Sequence, residues 1–156
     1  MKDVEILFVE NAEQRAVITH NVLHALPDWS GLPESTRAYI DECRELPFWA
    51  ACDGEQALGF VSMKPTSKHA AEIYCMGILP EYHRQGIGRR LLAALEAYAR
   101  EAGFRLLQVK TVDEGHYPEY DRTIAFYEGM GFMRLEVFPT LWDAWNPCLV
   151  LVKPLL

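Results

Sequence analysis

Residues 71–102 read AEIYCMGILPEYHRQGIGRRLLAALEAYAREA and fall into three pieces. Ile73, Tyr74, Cys75, Met76, Ile78 and Leu79 make an apolar run closed by Pro80, the pattern of a buried strand. Leu91, Leu92, Leu95, Tyr98, Ala99 and Ala102 recur at helical spacing, with Arg89, Arg90, Glu96 and Arg100 mostly on the other face. Between strand and helix, His83-Arg84-Gln85-Gly86-Ile87-Gly88-Arg89 removes two side chains where the helix begins. The first N–H groups of a helix lack intrahelical partners and attract anions, and glycines let a phosphate come close. His83, Arg84, Arg89 and Arg90 crowd the same spot. The stretch is read as a site for the diphosphate of a nucleotide-like cofactor, with the backbone N–H groups of Gln85 to Arg90 as its donors.

Two familiar phosphate motifs do not fit. A P-loop needs a Lys after its last glycine, and Arg89 follows Gly88. A dinucleotide fingerprint needs a third glycine at 91, where Leu91 stands. A glycine pair before a helix is equally the mark of an ordinary turn, so the reading depends on the rest of the chain.

The chain has 156 residues, half of them apolar and 24% charged. That suits one globular domain spanning 1–156 rather than a disordered chain. The formal charge of −7 argues against nucleic acid or an anionic membrane as the main partner. Cys43, Cys52, Cys75 and Cys148 sit in apolar surroundings without C-x-x-C spacing, which reads as reduced thiols rather than disulfides or a zinc site. MKDVEILFVE lacks the features of a signal peptide, and no stretch approaches the ~18 apolar residues of a membrane span. The cytoplasm is the expected location.

In chain order, Val4–Val9 reads as a strand. Asn11 is placed to cap a helix running to about Leu26, with Val17, Ile18, Val22 and Leu23 facing inward. His20 and His24 are one helical turn apart, but no third ligand accompanies them and no metal is expected. Residues 27–33, with Trp29, form a loop, and a second helix runs from about Glu34 to Leu46. Phe48–Cys52 and Ala57–Lys64 flank Asp53-Gly54, a hairpin signal. Ala71–Leu79 follows as the fourth strand and Phe104–Val112 as the fifth. The strand–helix–strand unit implies a parallel pair. Asp121 is placed to cap the next helix, and Met133–Phe138 and Cys148–Lys153 are the last strands. The loop between them carries Trp142 and Trp145, which are costly to leave in water and point to cover by a neighbouring subunit, as in a homodimer, by the core or by a ligand.

Residues 78–92, ILPEYHRQGIGRRLL, resemble the acetyl-CoA signature of the GNAT superfamily of N-acetyltransferases, Arg/Gln-x-x-Gly-x-Gly/Ala after a strand and a proline turn. Residues 123–132, TIAFYEGMGF, resemble that family's Ala-x-x-Phe-Tyr-x-x-x-Gly-Phe segment. The two blocks come in the family's order and at about its spacing, and the resemblance covers roughly Phe48 to Lys153. His83 stands where the family usually has Arg or Gln, and Thr123 where it usually has Ala. The resemblance implies an α/β (mixed α+β) fold: a mostly antiparallel twisted sheet of about seven strands with a parallel central crossover and about four helices. It also implies acetyl-CoA as cosubstrate and an amine acceptor, either a small molecule or a peptide.

Roles follow from that resemblance. The strand edge around Gly77, Ile78 and Leu79 pairs with the pantetheine amides, with the Ile78 N–H as candidate oxyanion donor. His83, Arg84, Gln85, Gly86, Ile87, Gly88, Arg89 and Arg90 surround the diphosphate, and Phe126 joins the cofactor-binding set. Tyr127 matches the family's tyrosine near the cofactor sulfur and is the candidate general acid, although helical aromatics are ordinarily core. Glu72 matches a glutamate that serves as base through water; the alternative is a solvated charge at a strand end. His116, an imidazole in a long loop, is the rival base. Cys75 lacks a paired histidine, so no covalent cysteine is invoked. The first two helices would overhang the acceptor site. Asp28, Glu114, Glu119 and Asp143, with Trp29, Tyr117 and Trp142, are candidates for recognising a cationic amine. A binder that keeps the cofactor motif without turnover is the alternative to an enzyme.

Overall fold

A computed structural model of the chain describes residues 3–26, 33–143 and 145–156. The elements are β1 (Val4–Phe8), α1 (Ala12–His24), α2 (Pro33–Cys43), β2 (Phe48–Asp53), β3 (Gln56–Pro65), β4 (Ala70–Ile78), α3 (Ile87–Glu101), β5 (Leu106–Val112), α4 (Pro118–Gly129), β6 (Met133–Asp143) and β7 (Asn146–Pro154). A 3-10 turn, Pro80–Tyr82, lies between β4 and α3. The sheet has seven strands in the order β1-β2-β3-β4-β5-β7-β6. β1–β2, β2–β3, β5–β7 and β6–β7 are antiparallel. β4 and β5 run parallel, pairing over Ala70–Glu72 and Leu106–Gln108. This is the mixed sheet with a parallel crossover that the sequence implies.

Two compact units divide the chain. One comprises Met1–Lys64 with Tyr74–Glu101, the other Pro65–Ile73 with Ala102–Leu156. In the first, Val22, Leu23, Cys43, Phe48, Ala50, Phe60 and Cys75 form a buried cluster. Phe48 and Phe60 stack with ring centroids 5.1 Å apart. α3 packs on β1 and β2, burying Leu91, Leu92, Leu95 and Ala99. Tyr98 completes an aromatic group with Phe8 and Trp49. In the second unit, α4 packs on β5, and the Lys153 ammonium donates to the Met130 carbonyl at the helix C-terminus, 2.7 Å away, where cations are favoured.

Several expectations are corrected. Asn11 does cap α1, accepting from the Gln14 N–H at 2.9 Å. The inward face, however, is Ala16, Thr19, Val22 and Leu23, while Val17 is half exposed. Thr19 is buried because its hydroxyl donates to the Arg15 carbonyl. Glu96, placed on the outer face of α3, is buried, and Ala102 lies beyond the helix and is exposed. α4 begins earlier than Asp121. Pro118 occupies its first turn after Tyr117, and Asp121 reaches back to accept from the Gly115 N–H. β6 and β7 run through most of the supposed loop. Pro139 fits there because β6 is the edge strand. Asp143 closes the turn by accepting from the N–H groups of Trp145 and Asn146. Trp142 and Trp145 are exposed.

The four cysteines are free thiols. His20 and His24 stack on each other, and among the described residues no three His, Cys, Asp or Glu are grouped for a metal ion. No described helix is long and apolar enough to cross a membrane.

Candidate functional site

The turn between β4 and α3 is built by backbone conformation. The Leu79 N–H donates to the Leu58 carbonyl at 2.8 Å, which ends the strand. The next N–H groups, of Tyr82 and His83, bond to the carbonyls of Leu79 and Pro80. Arg84 (φ 62°) and Gly86 (φ 81°) then enter the left-handed region, with Gln85 between them outside it. Such alternation makes concave nests of backbone N–H groups that bind anions. Around the entry to α3, the Arg90 N–H bonds back to the Gly86 carbonyl. The N–H groups of Ile87, Gly88 and Arg89 precede it and have no place in the intrahelical ladder. No atom lies within 4 Å of a Cβ built on Gly86, so a bulky group can approach this backbone. The donor set and the space both fit a diphosphate.

The side chains of the turn do other work. His83 Nε2 lies 2.6 Å from the Ile78 carbonyl, donating to it and tying the turn to the strand end. The Gln85 amide donates to the Glu81 carbonyl. The Arg90 guanidinium donates to the Val4 carbonyl of β1 at 2.8 Å, so its charge is pinned to the sheet. Arg84 and Arg89 are exposed.

Gly77 and Gly59 let the strand ends come together. A Cβ on Gly59 would stand 2.9 Å from the Gly77 carbonyl oxygen, and one on Gly77 would stand 3.0 Å from Val22. Ile78 and Leu79 follow at the end of β4. A cleft of about 390 Å³ opens beside Leu79, lined by Val17, Ile18 and Asn21 of α1 and by Gln56 and Ala57 of β3.

Glu72, Phe126 and Tyr127 belong to the second unit. The Glu72 carboxylate is 12% exposed and lies 3.1 Å from the Lys110 ammonium on β5. It is a half-buried ion pair rather than a solvated strand-end charge. Nearby Cys148 is pushed above its ordinary range, first by burial. Tyr127 is 5% exposed, and its ring meets Phe126 at 5.2 Å and Phe132 at 5.4 Å, both edge-on. Its partner in the motif, Phe126, is the less buried of the two. The backbone of Tyr127 also caps α4, its carbonyl accepting from the N–H groups of Met130 and Phe132.

Two of the proposed amine-recognition acids, Glu114 and Asp143, have polar partners. Glu114 and Glu128 pair with Arg134. Asp143 is held below the usual carboxylate range, first by the Asn146 side chain and then by the Trp145 N–H. His116 and Tyr117 are exposed, Glu119 is half-buried, and Asp28 and Trp29 lie outside the described residues. Sequence reasoning missed Lys110, although alternation along β5 puts it on the same face as Gln108, whose register partner is Glu72. It also missed a cluster of Glu42, Lys64 and Tyr74, which no local spacing signals.

The model of the acetyltransferase (GNAT) family matches residues 17–132. N-acetyltransferase 8B of Rattus norvegicus is 26% identical over 120 residues, which cover 71% of this chain and 50% of the rat protein. The chain thus spans about half the length of that relative. A Desulfovibrio desulfuricans protein assigned to the GNAT acetyltransferases superposes with TM-score 0.81 at 21% identity, covering 99% of this chain and 100% of that one. A GNAT acetyltransferase of Elizabethkingia anophelis with acetyl-CoA bound superposes with TM-score 0.73 at 16% identity, over 99% and 100%. These two structures share the fold. With its sheet order, its glycine turn and a family match over most of its length, the chain belongs to the acetyltransferase (GNAT) family.

Proposed function

We propose that the protein transfers an acetyl group from acetyl-CoA to a primary amine, by direct attack while both are bound. The observation that carries this is the turn at 83–90. Its left-handed Arg84 and Gly86, the open space over Gly86 and the unladdered N–H groups of Ile87, Gly88 and Arg89 suit a diphosphate. Acetyl-CoA, when bound, supplies the thioester that is cleaved. Arg84 and Arg89 add positive charge at the rim. The end of β4 around Gly77 and Ile78 offers backbone groups to the pantetheine arm by strand-edge pairing. The Leu79 N–H is already given to the Leu58 carbonyl, and the Ile78 N–H is the donor to the thioester carbonyl oxygen. The acceptor must lose a proton, because an aliphatic ammonium has a pKa near ~10. Glu72 takes it through water, with Lys110 fixing the carboxylate. Tyr127, buried between Phe126 and Phe132, gives a proton to the departing sulfur.

Thiol release from acetyl-CoA with a panel of primary amines tests the proposal. Wild type is expected to release CoA only when an amine is present, and Tyr127→Phe to lose about 10²-fold in kcat with little change in KM. Binding of acetyl-CoA without turnover of any amine would replace the enzyme with a non-catalytic acyl-CoA binder.

A further inference from the structure

Two aromatic rings, a carboxylate and an ammonium meet in the first unit at a place the mechanism above does not use. Tyr39 and Glu42 stand one turn apart on α2, and Tyr74 stands on β4. The rings of Tyr39 and Tyr74 are 5.0 Å apart. The Tyr74 hydroxyl donates to Glu42 Oε2. Lys64 Nζ donates to Glu42 Oε1 at 2.5 Å and lies 5.2 Å from the centre of the Tyr74 ring. An ammonium held between a carboxylate and an aromatic face is the chemistry of cation recognition.

The cluster is reachable from water: the side chains of Lys64 and Glu42 are each 39% exposed. Glu42 is held below the usual carboxylate range, first by its hydrogen bond from Lys64 and then by that from Tyr74. Tyr74 is pushed well above the usual phenol range, first by burial and then by Glu42, so its hydroxyl stays a donor. The anion is therefore preorganised for a cation. The cation it holds is on a long flexible side chain, and an exposed lysine pair of this kind contributes little net stability.

We propose that Tyr39, Glu42 and Tyr74 form a cage for a second ammonium group of the acceptor, and that Lys64 is the cage's resident occupant, displaced when that group arrives. This rests on the acetyltransferase reading and names its substrate class. Tyr74 stands four residues before Ile78 on β4, about 13 Å along the strand at roughly 3.3 Å per residue. An ammonium in the cage is too far from the Ile78 N–H to be the reacting nitrogen. It is the remote cation of an extended aliphatic diamine, with its two nitrogens on the order of 10 Å apart.

Calorimetric titration of 1,8-diaminooctane and propylamine, without cofactor, tests the cage in wild type, Lys64→Met, Glu42→Gln and Tyr74→Phe. Lys64→Met is expected to bind the diamine about tenfold tighter than wild type, and Glu42→Gln about tenfold weaker, with smaller changes for propylamine. Tyr74→Phe keeps the ring and loses the donor, and is expected to fall between wild type and Glu42→Gln. In acetylation assays, the KM ratio of propylamine to diamine is expected to rise in Lys64→Met. Equal diamine affinities in wild type and Lys64→Met would overturn the cage. If no amine is acetylated, the acetyltransferase reading fails, and the binding series alone still decides whether the cage exists.

Discussion

Glu72 Oε2 lies 3.1 Å from Lys110 Nζ, at the end of the three-residue stretch where β4 and β5 run parallel. The carboxylate is 12% exposed, so it is neither free in solvent nor sealed in the core. A base acting through water needs such a position: fixed by a neighbour and still reachable by solvent. Glu72→Gln is expected to lower kcat by about 10²-fold or more at neutral pH. The deficit should shrink as pH rises, because more acceptor amine is then already neutral. A loss that stays constant with pH would assign Glu72 to structure alone.

Lys110 is tested separately. Lys110→Met leaves a mostly buried carboxylate without its cation, and one-sided removal is the costly way to break such a pair. Urea denaturation is expected to show a loss of about 2 kcal/mol, below the fully buried range because the site is partly wet. An unchanged midpoint would mean that water replaces Lys110 without loss.

The close approach of β3 and β4 makes a sharper stability prediction. Gly59→Ala puts a methyl 2.9 Å from the Gly77 carbonyl oxygen and 3.0 Å from the Ile78 side chain. The strand ends must then part, at a cost of about 1–3 kcal/mol. Gly129→Ala, in the last turn of α4 with nothing within 4 Å of the new methyl, is expected to change stability by less than about 1 kcal/mol and in the stabilising direction. Equal effects from the two substitutions would contradict the packing described.

Acid should act through Glu42. Its carboxyl is held below the ordinary value of 4.5 in the folded protein, so the folded state binds this proton less readily than the unfolded chain. The resulting stability is fully present above pH 4.5 and is lost as pH falls through the folded value. Because the group is well exposed, the contribution is about 0.2–1 kcal/mol. Urea midpoints measured from pH 6 down to pH 3 are expected to fall less steeply in Glu42→Gln than in wild type. Identical slopes would remove Glu42 from the acid transition.

The sequence was most informative where chemistry is local. The apolar run at 73–79, the glycine turn and the leucines of α3 carry their structure in their own spacing, and the sheet topology follows from the crossover they form. The N-cap at Asn11 and the hairpin at Asp53-Gly54 are equally local. Boundaries failed where a weaker signal was passed over. Pro118 marks the start of α4 better than Asp121 does, and Pro139 is compatible with β6 because that strand is the edge of the sheet. The inward faces of α1 and α3 were partly misjudged, because Thr19 is buried by bonding its own helix and because Glu96 carries a charge that periodicity assigns to water. Partnerships across elements were the least legible. Glu72 with Lys110, Arg90 with Val4, and Glu42 with Lys64 and Tyr74 join residues far apart in the chain, and only register and packing reveal them.

The central claim is that the backbone from 84 to 89 receives a diphosphate. Titrating CoA into ¹⁵N-labelled protein and following the amide resonances measures it directly. The account predicts the largest, saturable shifts at Gly86, Ile87, Gly88 and Arg89, and weaker ones when dephosphorylated pantetheine replaces CoA. Saturable CoA binding that leaves those four amides unmoved would contradict it.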